Sequence, residues 1–346
     1  MSVLRRAVGW LAVLYPAALL SIVLAFRVAG ERWWITGIIL YLPRLAFGLP
    51  LPLLVFGLVA AGRPGLLWTQ LVASLVLVFP LMGFVIPRSP GMAPSSPTLR
   101  VLSYNVNSGH GHGDYADVVA EVERYSPDVA VLVEASFKDK IVPLMRARFA
   151  SVFVADQFVI ASRYPIVDAT PASPLGYDGR EHSARFLRFV VESSLGRVVG
   201  YAVHPISPRE SLARVRHVGR RGFLLGRFLS PANAANFYEN SGLRELQTEA
   251  YAAAVSRETD PVFVAGDTNL PDSSYVLRHY LSALKDGFSE TGWGFGYTFP
   301  TDKLRPWMRL DRILANHLLR FTHFEVGRSV ASDHLCVIAD LETQTP

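Results

Sequence analysis

Three stretches near the C-terminal end decide the fold: VFVAGDTNL (262–270), MRLDRILAN (308–316) and SDHLCVIADL (332–341). Each couples an apolar run of strand length to acids, an amide or an imidazole. In an α/β protein the ends of buried strands are where the chemistry sits.

The same pattern recurs upstream. LRVLSYNVN (99–107) alternates as a strand and ends at Asn105, followed by the glycine-rich loop SGHGHGD (108–114). DVVAEVERYSPDVAVLVEAS (117–136) predicts an amphipathic helix, a turn at Pro127 and a buried strand that delivers Glu134. FVIASRYPI (158–166) is a further strand, and RFLRFVVES (185–193) with GRVVGYAVHP (196–205) predicts a hairpin ending at His204. LRELQTEAYAAAVSRET (243–259) predicts a helix leading into the strand that carries Asp267 and Asn269, two residues apart on one side, with Gly266 allowing a sharp turn. DSSYVLRHYLSALKDGF (272–288) predicts a helix capped by Asp272 or Ser273, and GWGFGYTFP (292–300) a loop. Asp311 then sits on a strand, and Asp333 and His334 precede the last one. Strands and helices alternate through two similar halves, which favours packed sheets with helices outside. His110 and His112 flank a glycine in a flexible loop, where solvated side chains are the expected reading rather than a metal site.

Working outward to the N-terminus, the composition changes. The chain has 346 residues, 50% of them hydrophobic, and a mean hydropathy of +0.26. The excess is localised in residues 1–87, in the runs Val8–Phe26, Trp33–Ala61 and Leu66–Ile86. Each reaches the ~20 residues that cross a bilayer, so we expect an anchor of about three transmembrane helices. The first run is too long for a signal peptide and no A-x-A site follows it. The second contains Pro43, Arg44, Pro50 and Pro52, and reads as a kinked span with Arg44 facing its neighbours or snorkelling, or as a re-entrant segment. Arg5 and Arg6 favour a cytoplasmic N-terminus and an exported globular domain, although Arg27 and Arg32 pull the other way. PRSPGMAPSSP (87–97) places a semi-rigid linker at 88–97, leaving 98–346 as the catalytic domain.

Charge follows the same division. The net charge is +5, but residues up to Pro97 hold seven basic residues and one acid, leaving 27 basic and 28 acidic residues for the rest. A near-neutral domain weighs against nucleic acid as the substrate. The single cysteine, Cys336, excludes an internal disulfide and a Cys-based zinc site and reads as a buried core thiol. Between Ile206 and Gly242 regular spacing lapses. Arg209, Arg214, Arg216, Arg220, Arg221 and Arg227 interleave there with FLLGRFL (223–229), a mixture suited to a membrane interface or to a solvated helix with one buried face.

Glu134, Asn105 and Asp333 are hard oxygen ligands of the kind a divalent ion such as Mg²⁺ takes. His334, His204 and Asn269 can donate to a phosphoryl group, and a carboxylate such as Asp311 can orient His334. The ordered set SYNV, the Glu of LVEAS, SRYPI, HP, GDTN, LDRIL and SDH resembles the endonuclease/exonuclease/phosphatase superfamily over nearly all of residues 98–346. The resemblance implies a four-layer αββα sandwich behind the transmembrane bundle, and hydrolysis of phosphoesters dependent on Mg²⁺, with Mn²⁺ as a substitute. By motif position it places Asn105 and Glu134 at the metal with Asp333 beside them, and His204 and Asn269 on phosphate. It pairs Asp311 with His334, and gives Asp267 the water or the leaving group. Whether Asp267 or His334 is the base stays open.

Thr268, where an aromatic is common, and the long basic-apolar insert leave the substrate open. Spans before such a domain are similar to a bacterial subgroup of membrane proteins associated with glycopeptide-antibiotic resistance. That similarity implies an integral protein of the cytoplasmic membrane with an extracytoplasmic domain. Its partners would be membrane lipids and its substrate a lipid-linked phosphate of the envelope, polyprenyl pyrophosphate or a phospholipid headgroup. Two other readings are a membrane-tethered nuclease and a non-catalytic envelope interaction protein.

Overall fold

Alternation along the strands builds the domain in the computed structural model, which describes residues 2–88, 97–216, 230–303, 305–328 and 331–344. In β1 (Leu99–Asn105), Leu99 and Val101 face one core and Leu102 and Tyr104 another, as a period of two requires. β1 lies in a six-stranded sheet ordered β13-β14-β1-β2-β4-β3, with β2 at Val129–Val133, β3 at Ser151–Ala155 and β4 at Phe158–Ser162. Its other members are β13 at Leu319–Val326 and β14 at Val337–Thr343. The second sheet, also six-stranded, is ordered β11-β12-β10-β9-β8-β5. Here β5 is Ile166–Pro171, β8 Phe186–Ser193, β9 Gly196–Val203, β10 Val262–Asp267, β11 Lys285–Asp286 and β12 Asp311–Ala315. A small hairpin, β6 (Leu175–Tyr177) with β7 (Arg180–His182), stands apart. Each large sheet is mixed: β1 with β2, and β9 with β10, run parallel, and the remaining pairs antiparallel.

The sheets pack face to face. Leu99, Val101, Val129 and Val131 of the first meet Phe189, Val198, Phe263 and Ile313 of the second in one buried cluster. Outside the first sheet lie α5 (Ala116–Tyr125) and α6 (Lys138–Arg146), whose Val118, Val122, Ile141 and Met145 cover Leu102, Ala130 and Val159. Cys336 is buried in that same cluster. Outside the second sheet, Tyr251 and Val255 of α8 (Pro231–Val255) and Leu281 of α9 (Tyr275–Leu281) cover Val199, Tyr201 and Val264. The layers are therefore helix, sheet, sheet, helix.

Three local expectations are corrected. α8 begins at Pro231, twelve residues before Leu243, because Ser230 caps it by accepting the Asn233 N–H and Pro231 fills the first turn. α9 begins only at Tyr275 and is capped by Ser274, since the Asp272 carboxylate is taken by Arg309 and Arg312. After Leu281 the chain leaves the helix, forms β11 and starts the short α10 (Gly287–Thr291), capped by Asp286. Gly266 does not turn the chain. It lies inside β10, where a Cβ would fall 1.9 Å from the Val203 carbonyl oxygen, so glycine is required for β9 and β10 to approach. The linker residues 89–96 and the insert's Arg220, Arg221, Arg227 and FLLGRFL lie outside the described residues. Arg209, Arg214 and Arg216 fall on α7 (Arg209–Arg216).

Among the described residues, the N-terminal part contains two helical stretches long and apolar enough to cross a membrane, Val3–Val28 and Pro64–Leu81. A third candidate, Trp34–Leu40 with Arg44–Ala60, is bent by 95°. The bend follows from Pro43 and from the buried Arg44, whose guanidinium donates to the Leu40 and Leu81 carbonyls. Val3, Leu4, Trp10, Leu14 and Leu24 of α1 (Ser2–Val28) are exposed, while Leu19 and Phe26 pack inward with Leu40, Tyr41, Ala73 and Leu77. That inner cluster extends into the two-sheet domain through Met308 and Leu310.

Candidate active site

Strand parity gathers the site. On β1 the inward series Leu99, Val101 continues to Asn105; on β10, Phe263 and Ala265 lead to Asp267; on β12, Asp311 precedes Ile313 and Ala315. On β9, Val198 and Ala202 lead to His204 one residue past the strand. The parallel pairs bring these ends to one edge of the sandwich, and antiparallel register sets Asp267 opposite Asp311. Glu134 and Asn269 lie just beyond their strands with φ of 55° and 52°, left-handed conformations that cost on the order of 1 kcal/mol each. They break the alternation. The equal-side argument for Asp267 and Asn269 therefore gives way to a turn, closed by the Asn269 N–H on Asp267 Oδ1 at 2.8 Å.

The side chains meet in one network. Asn105 Nδ2 donates to Glu134 Oε1 at 3.2 Å and to Asp267 Oδ2 at 3.1 Å. His204 Nε2 lies 3.2 Å from Glu134 Oε1 and 3.7 Å from Asp267 Oδ2, and its Nδ1 is held by Gln157. His334 Nδ1 pairs with Asp311 Oδ2 at 2.8 Å and its Nε2 stands 3.6 Å from Asp267 Oδ2. Asn269 Nδ2 donates to the Pro205 carbonyl at 2.9 Å. Asp333 is placed apart from Glu134 and Asn105 in its bonding: its carboxylate takes Arg209 Nη2 at 2.9 Å. Phe299 packs against the His334 ring with centroids 4.5 Å apart.

Electrostatics follow from these contacts. Burial alone would raise the Glu134 carboxyl, but the hydrogen bond and charge of His204 and the Asn105 amide outweigh it and hold the group at about 2. Burial would lower His334, yet Asp311 and Asp267 hold it up to about 10, so the imidazole is protonated at neutral pH. Asp267 is raised, chiefly by burial, with His334 opposing. The edge thus carries an excess of carboxylates, and the buried Asp311 Oδ1 there has no hydrogen-bond partner among the described residues. Hard oxygens, excess negative charge and an unsatisfied carboxylate oxygen fit a divalent cation with a phosphate. Asp267, Asp311 and His334 also come within 4.8 Å of one another, but the His334–Asp311 hydrogen bond occupies that trio. Glu134 and Asn105 are the better cation donors, since both Asp267 oxygens are engaged by Asn269 and by the imidazole side of the network.

A cleft of about 410 Å³ opens over this network, with Glu134, Asp267, Asn269, Asp333 and His334 along it and Tyr41, Arg209, Leu212, Phe299, Trp307 and Met308 among its walls. Residues 102–334 match the profile of the Endonuclease/Exonuclease/phosphatase family, which is well over half the chain.

The chain belongs to this family. Members of the family are hydrolases acting on phosphoester bonds. Similar solved structures include D. rerio TDP2 humanized by 14 mutations, 18% identical over 71% of this chain and 99% of that one, with a TM-score of 0.50. A family protein from Leptotrichia buccalis is 14% identical over 70% of this chain and 99% of that one, with a TM-score of 0.50. A truncated Caenorhabditis elegans TDP2 gives 17%, 71%, 98% and 0.50 for the same quantities. At these identities the likeness is one of fold. No curated protein matches the chain in sequence.

Sequence reasoning overlooked Gln157, Phe299 and Tyr41 at this family site. Gln157 lies in the β3–β4 turn and Phe299 in a loop, where no period marks a residue as inward. Tyr41 comes from the N-terminal segment. Arg209 was visible as one of several arginines, and its place five residues after His204 was the available signal.

Proposed function

We propose that the protein is a membrane-anchored, divalent-metal-dependent phosphoester hydrolase acting on a lipid-linked phosphate, polyprenyl pyrophosphate or a phospholipid headgroup. Its catalytic domain lies on the outer side of a bacterial cytoplasmic membrane, with membrane lipids as its surroundings. The observation that carries this reading is the composition of the cleft. Its lining joins the acid–imidazole network to Tyr41, Leu212, Phe299, Trp307 and Met308, which belong to or pack against the apolar cluster of the N-terminal helices. A phosphate attached to a hydrocarbon chain matches both kinds of lining. A polyanionic strand matches only the polar one.

Glu134 and Asn105 would hold Mg²⁺ or Mn²⁺, which when bound supplies Lewis acidity toward a phosphoryl oxygen. The chain's own residues do the rest. Asp311 fixes the His334 ring through Nδ1, and the protonated Nε2 serves as a hydrogen-bond donor to the phosphoryl group rather than as a base. Asp267, anchored through Oδ1 by Asn269, keeps Oδ2 toward both imidazoles. Its raised pKa suits it to take the proton of the attacking water as the new P–O bond forms, while the P–O bond to the leaving oxygen breaks and that oxygen takes a proton from solvent. His204 and Asn269 steady the phosphate.

Removal of divalent metal tests the chemistry. Chelation of the detergent-solubilised protein is expected to abolish phosphate release from lipid phosphates, and Mg²⁺ to restore it. Turnover that survives exhaustive chelation contradicts the reading.

A further inference from the structure

The N-terminal segment is more than a tether, because two of its bonds land on the loop that follows β10 and a third on the first residue of α9. Glu31 Oε2 accepts the Tyr275 N–H at 3.1 Å, Arg44 Nη1 donates to Ser273 Oγ at 3.2 Å, and the Tyr41 hydroxyl donates to the Asn269 carbonyl at 2.9 Å. The last contact is buried and reaches a residue of the candidate site itself. Asn269 occupies a left-handed conformation, which asparagine tolerates better than most non-glycine residues but which still has to be held in place. It is pinned at three groups: its N–H by Asp267, its side-chain amide by the Pro205 carbonyl and its carbonyl by Tyr41. Of these clamps only Tyr41 comes from outside the catalytic domain. The tyrosine is held in turn, with Trp307 Nε1 donating to its carbonyl at 3.3 Å and the Arg244 guanidinium 5.8 Å from its ring centre.

We propose that Tyr41 is a positioning residue of the active site: its phenol fixes the Asn269 peptide, so the phosphate-facing amide is correctly set only while the membrane segment is docked on the domain. This rests on the hydrolase reading above. Without the hydroxyl, a buried carbonyl is left unsatisfied next to a strained residue, and the peptide can rotate. Because the loss acts through Asn269, it falls on the transition state rather than on substrate capture, and it has nothing to act on once the amide is gone.

The test uses full-length protein in detergent micelles with Mg²⁺ and measures kcat and KM for a lipid phosphate in a double-mutant cycle. Tyr41→Phe keeps the ring and is expected to lower kcat about tenfold with KM unchanged. In an Asn269→Ala background the same change is expected to cost no more than about twofold. Tyr15→Phe is the control, since Tyr15 donates to the Phe47 carbonyl at 2.7 Å wholly inside the N-terminal bundle. It removes the same kind of bond and is expected to leave kcat within about twofold of the unaltered protein. Equal losses in both tyrosine variants, an undiminished cost in the Asn269→Ala background, or unimpaired Tyr41→Phe overturns the inference alone. Absence of any His334-dependent hydrolysis by the unaltered protein overturns the hydrolase reading and this inference with it.

Discussion

His334 is buried with carboxylates on two sides, Asp311 at 2.8 Å and Asp267 at 3.6 Å, and this pairing sets its protonation. The imidazolium is favoured in the folded state up to about 10, against 6.5 for the free side chain. The sign follows from linkage. The extra proton stabilises the fold fully below pH ~6.5, and the contribution is lost as pH rises through about 10. In metal-free protein, Asp311→Asn is expected to flatten the fall of the thermal midpoint between those limits. It should also reduce kcat about 10²-fold or more, since the donor loses both charge and orientation. A variant with the parent's pH dependence contradicts the pairing. Asn105, His204, Asp267 and Asp311 were legible in sequence because each ends or extends an alternating run, which fixes its side of the sheet. Gln157 and Phe299 were not, because a turn and a loop carry no period.

At the scale of elements, the joint between β10, β11 and β12 is held by two buried arginines and two half-buried aspartates. Arg309 and Arg312 each bridge Asp272 and Asp286, at 2.6 to 2.9 Å. Burial would raise Asp286, but the charges of Arg309 and Arg312 outweigh it and hold the carboxyl at about 2; Asp272 is also lowered by the same two arginines against burial. Both depressed groups contribute stability that is present above their unfolded pKa near ~4 and lost as pH falls through the folded values. Acid unfolding monitored by circular dichroism is expected to show a limb between pH ~4 and ~2, and Asp286→Asn should flatten it while lowering stability at neutral pH. An unchanged acid limb would sink this account. The quartet also explains why the helix expected over 272–288 is short: Asp272 is committed to the arginines, and Asp286 both joins them and caps the next helix. Period and caps outlined elements such as α5, but tertiary charge pairing, which spans 23 to 40 positions, moved the ends.

For the whole molecule, the division into an apolar N-terminal part and an α/β family domain was readable from composition and from seven ordered motifs. The docking of one on the other was not. Tyr41, Met308 and Leu310 are ordinary residues in isolation, and only the packed structure makes the N-terminal cluster a wall of the catalytic cleft. That wall is what turns a family fold into a specific claim about an amphiphilic substrate. The most direct test compares initial rates of the full-length protein with Mg²⁺ on lipid phosphates and on DNA, beside His334→Ala. The account predicts turnover of the lipid phosphate alone, lost in the variant. Cleavage of DNA at a comparable rate, or lipid turnover that persists without His334, would contradict it.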